Sequence, residues 1–329
     1  MNKITRRLFG FALASMLAVP ASTGTALAQA APDLSKVVLR IGDQTGLVRG
    51  KLTAAKLLDD VPYTIEWSVF PAAVNLHEAL KADAVDIGSA ADSPTVTAIA
   101  GGSDIAVVAA WTNGGLGTSL IVPKGSPIKT VADLKGKTLS PTTRGSVAHF
   151  LTLGALKEAG LSPSDVKLAF LAPSDAIAAF QSGSIDAWTT WGVYTARAIG
   201  TLGATEIRDG RGVNTGLGVL SANRKALADP GKVAAIADFA DRIERGYDWS
   251  RRERDGYLDF YAGFVKQDRA LVDTLYDQEE AFKRVTIDDS FVATLQKTYD
   301  TWVEAGVLKG SRDIGANVYR DLPVAAATN

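Results

Sequence analysis

Residues 86–94 read DIGSAADSP, a short apolar strand running into the start of a helix. Gly88 and Ser89 let the backbone turn, Asp92 or Ser93 stands where an N-cap belongs, and Pro94 takes the first helical position. The first turn of such a helix leaves N–H groups unpaired at the positive end of its dipole, and the hydroxyls of Ser89 and Ser93 add donors beside them. That is the chemistry of an anion site. An ordinary capped helix has the same composition, so the reading depends on whether the construction returns.

It returns at 140–149, SPTTRGSVAH. A strand ends at Ser140, a turn follows, and Ser146 opens a helix, so backbone N–H groups and the hydroxyls of Thr143 and Ser146 can converge with the guanidinium of Arg144. The alternative is an exposed turn with a solvated arginine. Aromatic residues offer the other half of a site: 185–191, IDAWTTW, puts Trp188 and Trp191 at the end of a strand, where either packs in the core or meets an organic group. Trp111 has the same ambiguity. The chain has no cysteine and only His77 and His149, which excludes a thiolate nucleophile and a transition-metal cluster. With no orienting carboxylate in view, His149 reads as structural. No catalytic residue, metal or cofactor is expected.

The elements that must position these residues alternate strand and helix, the pattern of mostly parallel sheets flanked by helices. Strands are expected at 37–41, 63–70, 105–111, 119–122, 138–140, 166–171, 185–190 and 205–208. Helices are expected at 47–58, 76–82 with Asn75 as N-cap, 146–159 and 175–181. A glycine-rich stretch at 112–118, TNGGLGT, reads as a hinge, and 217–222 as the returning strand, with Gly216 and Gly218 at the bend. From Asp229 onward the pattern is helical: 233–249, 252–265, 269–276 and 291–305. In open sheets of this kind ligands bind beyond the strands' carboxyl ends, where the two helix N-termini would face each other.

The N-terminus reads as a targeting segment. Lys3, Arg6 and Arg7 precede an apolar run too short to span a bilayer comfortably, and Ala26-Leu27-Ala28 is a small-x-small cleavage site, with a Sec or a twin-arginine route both open. Removing 1–28 takes away three basic and no acidic side chains and moves the formal charge from −1 to −4. A mildly acidic surface argues against nucleic acid or an anionic membrane as partner. The absence of cysteine also removes the residue that would carry a lipid anchor. The expectation is an exported, periplasmic, freely soluble monomer, with roughly 300 mature residues, enough for two cores.

Several segments carry a family resemblance: Ile41-Gly42, Phe70 to Ala72, the LxAxxxDxGSxADSP run ending at Pro94, LIVPKGSPIKTVADLKGKTL from Leu120 to Leu139, GSVAH and DAWTTW. Together they resemble the aliphatic-sulfonate and taurine group of ABC-transporter substrate-binding proteins, within the nitrate, sulfonate and thiamine-precursor superfamily. The resemblance implies a two-domain α/β periplasmic binding protein of type II, with 29–117 and 223–329 as domain I, 118–222 as domain II, and a ligand cleft between. Carried over by position, the ligand shell falls on Gln44, Thr45, Ser89, Asp92, Ser93, Thr118, Arg144, Gly145, Ser146 and Trp191. Trp188 joins from the aromatic reading. Gly192 stands where relatives often have an acidic residue. The implied ligand is an organosulfonate such as an alkanesulfonate or taurine, and the implied partners are an ABC permease and its ATPase. Asp92 would pair with a cationic end such as taurine's amine or cap its helix. Other small anions, a thiamine-precursor-like ligand and a non-thiol enzyme of the same fold are the alternatives.

Overall fold

The computed structural model describes residues 32–323, so the expected leader and its cleavage near Ala28 lie outside the described residues. The first run of elements is β1 (Val38–Gln44), α1 (Leu47–Ala54), β2 (Thr64–Phe70), α2 (Ala73–Lys81), β3 (Ile87–Ala91), α3 (Asp92–Ala100) and β4 (Ile105–Thr112). A second run follows: β5 (Thr118–Val122), β6 (Thr138–Ser140), α4 (Val147–Glu158), β7 (Lys167–Leu168), α5 (Pro173–Gln181), β8 (Ala187–Trp191), α6 (Gly192–Leu202) and β9 (Thr205–Asp209). The chain then returns through β10 (Leu217–Asn223), α7 (Arg224–Leu227), α8 (Pro230–Arg252), α9 (Arg254–Val265), α10 (Arg269–Glu280), β11 (Lys283–Val285) and α11 (Asp289–Glu304).

The strands form two sheets, ordered β11-β4-β10-β3-β1-β2 and β7-β6-β8-β5-β9. In each, three strands run parallel (β2-β1-β3 and β7-β6-β8), and an antiparallel strand, β10 or β5, joins them to the next. Apart from the edge strand β11, the two sheets have one topology. β10 pairs with β3 and β4, so the chain is back in the first sheet before Leu217. The end of the expected 118–222 segment falls inside β10.

Apolar side chains cover both faces of the first sheet. Leu39, Ile41, Trp111 and Leu220 pack under Phe239 and Ile243 of α8, while Val107, Ala110 and Val219 pack under α2, α3 and Trp302 of α11. Gly42 and Gly88 are register partners in β1 and β3. A Cβ at Gly42 would lie 2.1 Å from Leu76 Cδ1, and one at Gly88 2.6 Å from the same atom. Gly88 is therefore no turn residue: it sits mid-strand and leaves room for Leu76 of α2 to press onto the sheet.

Helix α3 also begins earlier than expected. Its N-cap is Ala91, with no side-chain cap, so Asp92 and Ser93 are the first two helical residues and Pro94 the third. Likewise α2 starts after Ala72 rather than at an Asn75 cap. Helix α6 is an element the sequence pattern does not announce.

Candidate functional site

A cavity of about 250 Å³ opens at the carboxyl ends of β1, β3 and β8, between the two sheets. The helices α1, α2, α3, α4 and α6 all start on it, through Leu47, Ala73, Asp92, Val147 and Gly192. Of these, α2, α3 and α6 are capped by no side chain at Ala72, Ala91 and Trp191, so their first-turn dipoles are open to a ligand. The other two starts are taken: Asp43 accepts the N–H groups of Val48 and Arg49 of α1 at 3.3 and 2.9 Å, and Ser146 Oγ accepts that of His149 of α4 at 3.1 Å.

Seven expected residues line this cavity: Gln44, Thr45, Ser89, Asp92, Thr118, Ser146 and Trp191. Thr45 holds a left-handed backbone at φ 59°, a conformation rare outside glycine, and its N–H donates to the Phe70 carbonyl at 2.9 Å. Gln44 Nε2 donates to the Ser89 carbonyl at 2.7 Å, which ties β1 to β3 at the cavity floor. The Ser146 hydroxyl donates to the Pro141 carbonyl at 3.2 Å, so it helps build the wall rather than pointing a proton outward.

Four expected residues stand elsewhere. Arg144 is exposed, with its guanidinium 4.1 Å from the centroid of the Phe170 ring, and it does not line the cavity. Gly145 bonds to the protein on both sides: its N–H donates to His149 Nδ1 at 3.1 Å and its carbonyl accepts the Thr97 hydroxyl at 3.0 Å. Ser93 is buried in the first turn of α3 and does not line the cavity, its carbonyl accepting Trp302 Nε1 at 3.2 Å. Trp188 is a core residue, fully buried against Phe180 with Nε1 donating to Thr142 Oγ1 at 3.0 Å. Strand alternation explains the last: positions 188 and 191 of β8 face opposite sides of the sheet, so only one tryptophan reaches the cavity.

Two carboxylates and no lysine, arginine or histidine line the cavity. Burial pushes Asp43 up to about 6 against the pull of the Arg49 and Val48 N–H groups. Burial also raises Asp92, opposed by the hydroxyls of Thr298, at 2.8 Å, and Thr215 and by the Ser93 N–H. The Asp92 carboxylate thus faces α11 and the returning crossover, and holds α3 to them. Both histidines are pushed down to about 4 by burial, with Arg144 adding to the effect at His149, and neither lines the cavity.

The lining also holds Asp43, Asn113, Asn214, Tyr247 and Phe282, which the sequence did not nominate, together with Trp111, whose role the sequence left open. Trp111 Nε1 and both amide atoms of Asn214 are buried with no protein partner, an open hydrogen-bonding capacity at the cavity wall. Asn113 belongs to the glycine-rich stretch at 112–118 that the sequence did mark, and Asn214 stands just before the marked bend at Gly216. Tyr247 and Phe282 come from far along the chain, and nothing local distinguishes them.

Residues 69–255 match the family model described as NMT1/THI5 like. The chain belongs to the NMT1/THI5-like family. A protein of Escherichia coli K12 named for binding aliphatic sulfonates is 38% identical over 320 residues, 96% of this chain and 97% of the relative. Among solved structures, the alkanesulfonate-binding protein SsuA from Xanthomonas axonopodis pv. citri, bound to MOPS, superposes with a TM-score of 0.78 at 28% identity, covering 89% of this chain and all of that one. The periplasmic aliphatic sulphonate binding protein SsuA from Escherichia coli gives 0.74 at 29%, covering 88% of this chain and 99% of that one. The family membership and two-domain binding-protein fold expected from the sequence are thereby established.

Proposed function

We propose that this chain is the periplasmic substrate-binding component of an ABC importer for organosulfonates, and that it holds the sulfonate between its two sheets. The observation that carries this reading is a cavity joining three uncapped helix starts, α2 and α3 beside the first sheet and α6 beside the second, with no basic side chain on its wall. A sulfonate stays anionic at physiological pH and presents three acceptor oxygens, so helix N–H groups, hydroxyls and amides satisfy it without a fixed counter-charge. The relatives named for sulfonate binding, and one bound to the sulfonate MOPS, support the same assignment.

On this reading Gln44, Thr45, Ser89, Thr118 and Trp191 contact the ligand, Asp92 and Ser146 brace the wall, and the two sheets are the cores of two domains that meet at 113–117 and 210–216. The role is binding and delivery to a permease and its ATPase. The lack of cysteine and the burial of His77 and His149 away from the cavity favour binding over catalysis. No helix among the described residues is long and apolar enough to cross a membrane, which suits an exported carrier.

The test is a melting-temperature and calorimetric panel of alkanesulfonates, taurine, sulfate, nitrate and thiamine precursors. A true ligand at a hundred times its Kd stabilises by about 2.7 kcal/mol. A shift with sulfate or nitrate and none with any sulfonate rejects the substrate class, and turnover of a bound ligand rejects the carrier role.

A further inference from the structure

The cavity has an aromatic end. Trp111, Tyr247 and Phe282 line it together with Ile243 of α8, all on the face of the first sheet that α8 covers. Tyr247 and Phe282 stack with ring centroids 5.0 Å apart, and Trp111 lies 6.3 Å from Tyr247. Gly218 of β10 makes the space: a Cβ there would come within 3.3 Å of Phe282 Cε1.

These rings are held in place from outside the cavity. The Arg284 guanidinium sits 4.7 Å from the Trp111 centroid and the Lys51 ammonium 4.2 Å from that of Tyr247, and neither cation lines the cavity. The Phe282 carbonyl accepts Arg251 Nη1 at 2.6 Å, which pins the loop that carries the ring. The aromatic wall is therefore set before a ligand arrives, so little ordering cost falls on binding.

Size points the same way. A void of roughly 150 Å³ already takes benzene, and this one measures about 250 Å³, enough for a six-membered ring together with a tetrahedral anionic head. A one- or two-carbon sulfonate leaves the aromatic end to water.

Resting on the sulfonate reading above, we propose that the preferred ligand is a ring-bearing sulfonate whose ring packs against Trp111, Tyr247 and Phe282. Offset or edge contacts with such rings add to plain area burial, which gives selectivity over short aliphatic sulfonates.

The test titrates benzenesulfonate, methanesulfonate and taurine into the full mature chain and into Phe282→Ala and Phe282→Leu, with melting curves as the folding control. The expected result is benzenesulfonate binding at least tenfold tighter than methanesulfonate or taurine. Phe282→Ala should then lose five- to tenfold for benzenesulfonate and less than twofold for methanesulfonate, with Phe282→Leu between. Equal affinity of the wild type for ringed and ringless sulfonates overturns this proposal and leaves the sulfonate reading standing, as does an equal loss for both ligands in Phe282→Ala. Absence of binding by every sulfonate to the folded wild type overturns the sulfonate reading and this proposal with it.

Discussion

Asp86 and Asp186 do the same work one hundred positions apart. Asp86 Oδ2 accepts the N–H of Arg40 at 2.9 Å, and Asp186 Oδ2 accepts that of Thr138 at 2.8 Å. Each aspartate's own N–H donates back to the same residue's carbonyl, at 2.7 Å in both cases. One pair ties the approach to β3 onto β1 and the other ties the approach to β8 onto β6. The equivalent helix starts are therefore Ala91-Asp92 and Trp191-Gly192, while the loop at 140–146 matches the one at 44–47, where Thr45 and Thr142 both adopt a positive φ. The anion-site construction does return in the second sheet, but its counterpart to 86–94 is 186–194.

The two aspartates differ in what else they hold. Asp86 is fully buried and pairs with Arg40 at 2.6 Å and Lys232 at 2.8 Å; burial alone would raise its pKa, and these partners outweigh burial and lower it. Asp86→Ala should cost about 3 kcal/mol, the lower end for breaking a buried pair because both cations keep some solvent. Asp186→Ala, which loses chiefly a charge-assisted bond to one backbone N–H, should cost roughly 1 to 2 kcal/mol. Urea unfolding at pH 7 measures both, and equal losses would show that the two cations add nothing.

Asp43 gives a pH dependence of the opposite sense. Its folded pKa of about 6 lies above the unfolded value of 3.8, so the folded state binds the proton more tightly and its stability falls as pH rises between these values. The full difference is about 3 kcal/mol at 1.36 kcal/mol for each pH unit. Asp43→Asn should flatten the stability profile between pH 4 and 7 relative to wild type. Anion affinity should also weaken in the wild type as pH rises through about 6, when the carboxylate beside the cavity acquires its charge, and hold constant in the variant. Parallel profiles for the two proteins would refute the shift.

Much of the architecture was legible because strands 105–112 and 118–122 are nearly continuous apolar runs and the glycine-rich crossovers interrupt the rhythm at the sheet change. Helix α6 was hidden, since Gly192 and Val193 open it and Thr195 and Ile199 weaken its propensity. Half of the site was legible for the same local reason: strand ends and helix starts sit side by side in the sequence. The aromatic wall was not, because Trp111, Tyr247 and Phe282 meet only through packing of α8 and a loop against β4. Trp188 and Trp191 were separable in principle by their odd spacing on a strand. The placement of Arg144 was not legible, because charge and spacing do not say where a turn points, and Phe170 offers its guanidinium a face outside the cavity.

Tyr194 of α6 donates its hydroxyl to the Pro71 carbonyl beyond β2 at 2.8 Å, a bond that joins the second sheet's helix to the first sheet beside the cavity. If ligand leaves by separation of the two sheets, this bond breaks on release. Tyr194→Phe removes roughly 0.5 to 1.5 kcal/mol from the closed form, so koff should rise about two- to tenfold with kon unchanged. Stopped-flow fluorescence from the nearby Trp191 reads both rates, and an unchanged koff would place the exit elsewhere.

Thr118 and Arg144 separate a site of neutral donors from one built on a charged side chain. Thr118 begins β5, lies opposite Trp191 in the sheet and lines the cavity with 5% of its surface exposed. Valine keeps its shape and deletes the hydroxyl. If that hydroxyl donates to a desolvated sulfonate, Thr118→Val should cost roughly 1.5 to 3 kcal/mol of binding, on the order of ten- to a hundredfold in affinity. Arg144 instead lies over Phe170 at the surface and does not line the cavity, so its guanidinium acts on an anion there only through screened solvent. Arg144→Ala should therefore change affinity by less than about twofold at physiological salt. Calorimetric titration of one sulfonate into wild type and both variants gives the answer. A large loss on Arg144→Ala with none on Thr118→Val would mean that the loop at 140–146 swings its arginine into the cavity on binding, and the ligand would then be held by a charge rather than by helix starts and hydroxyls.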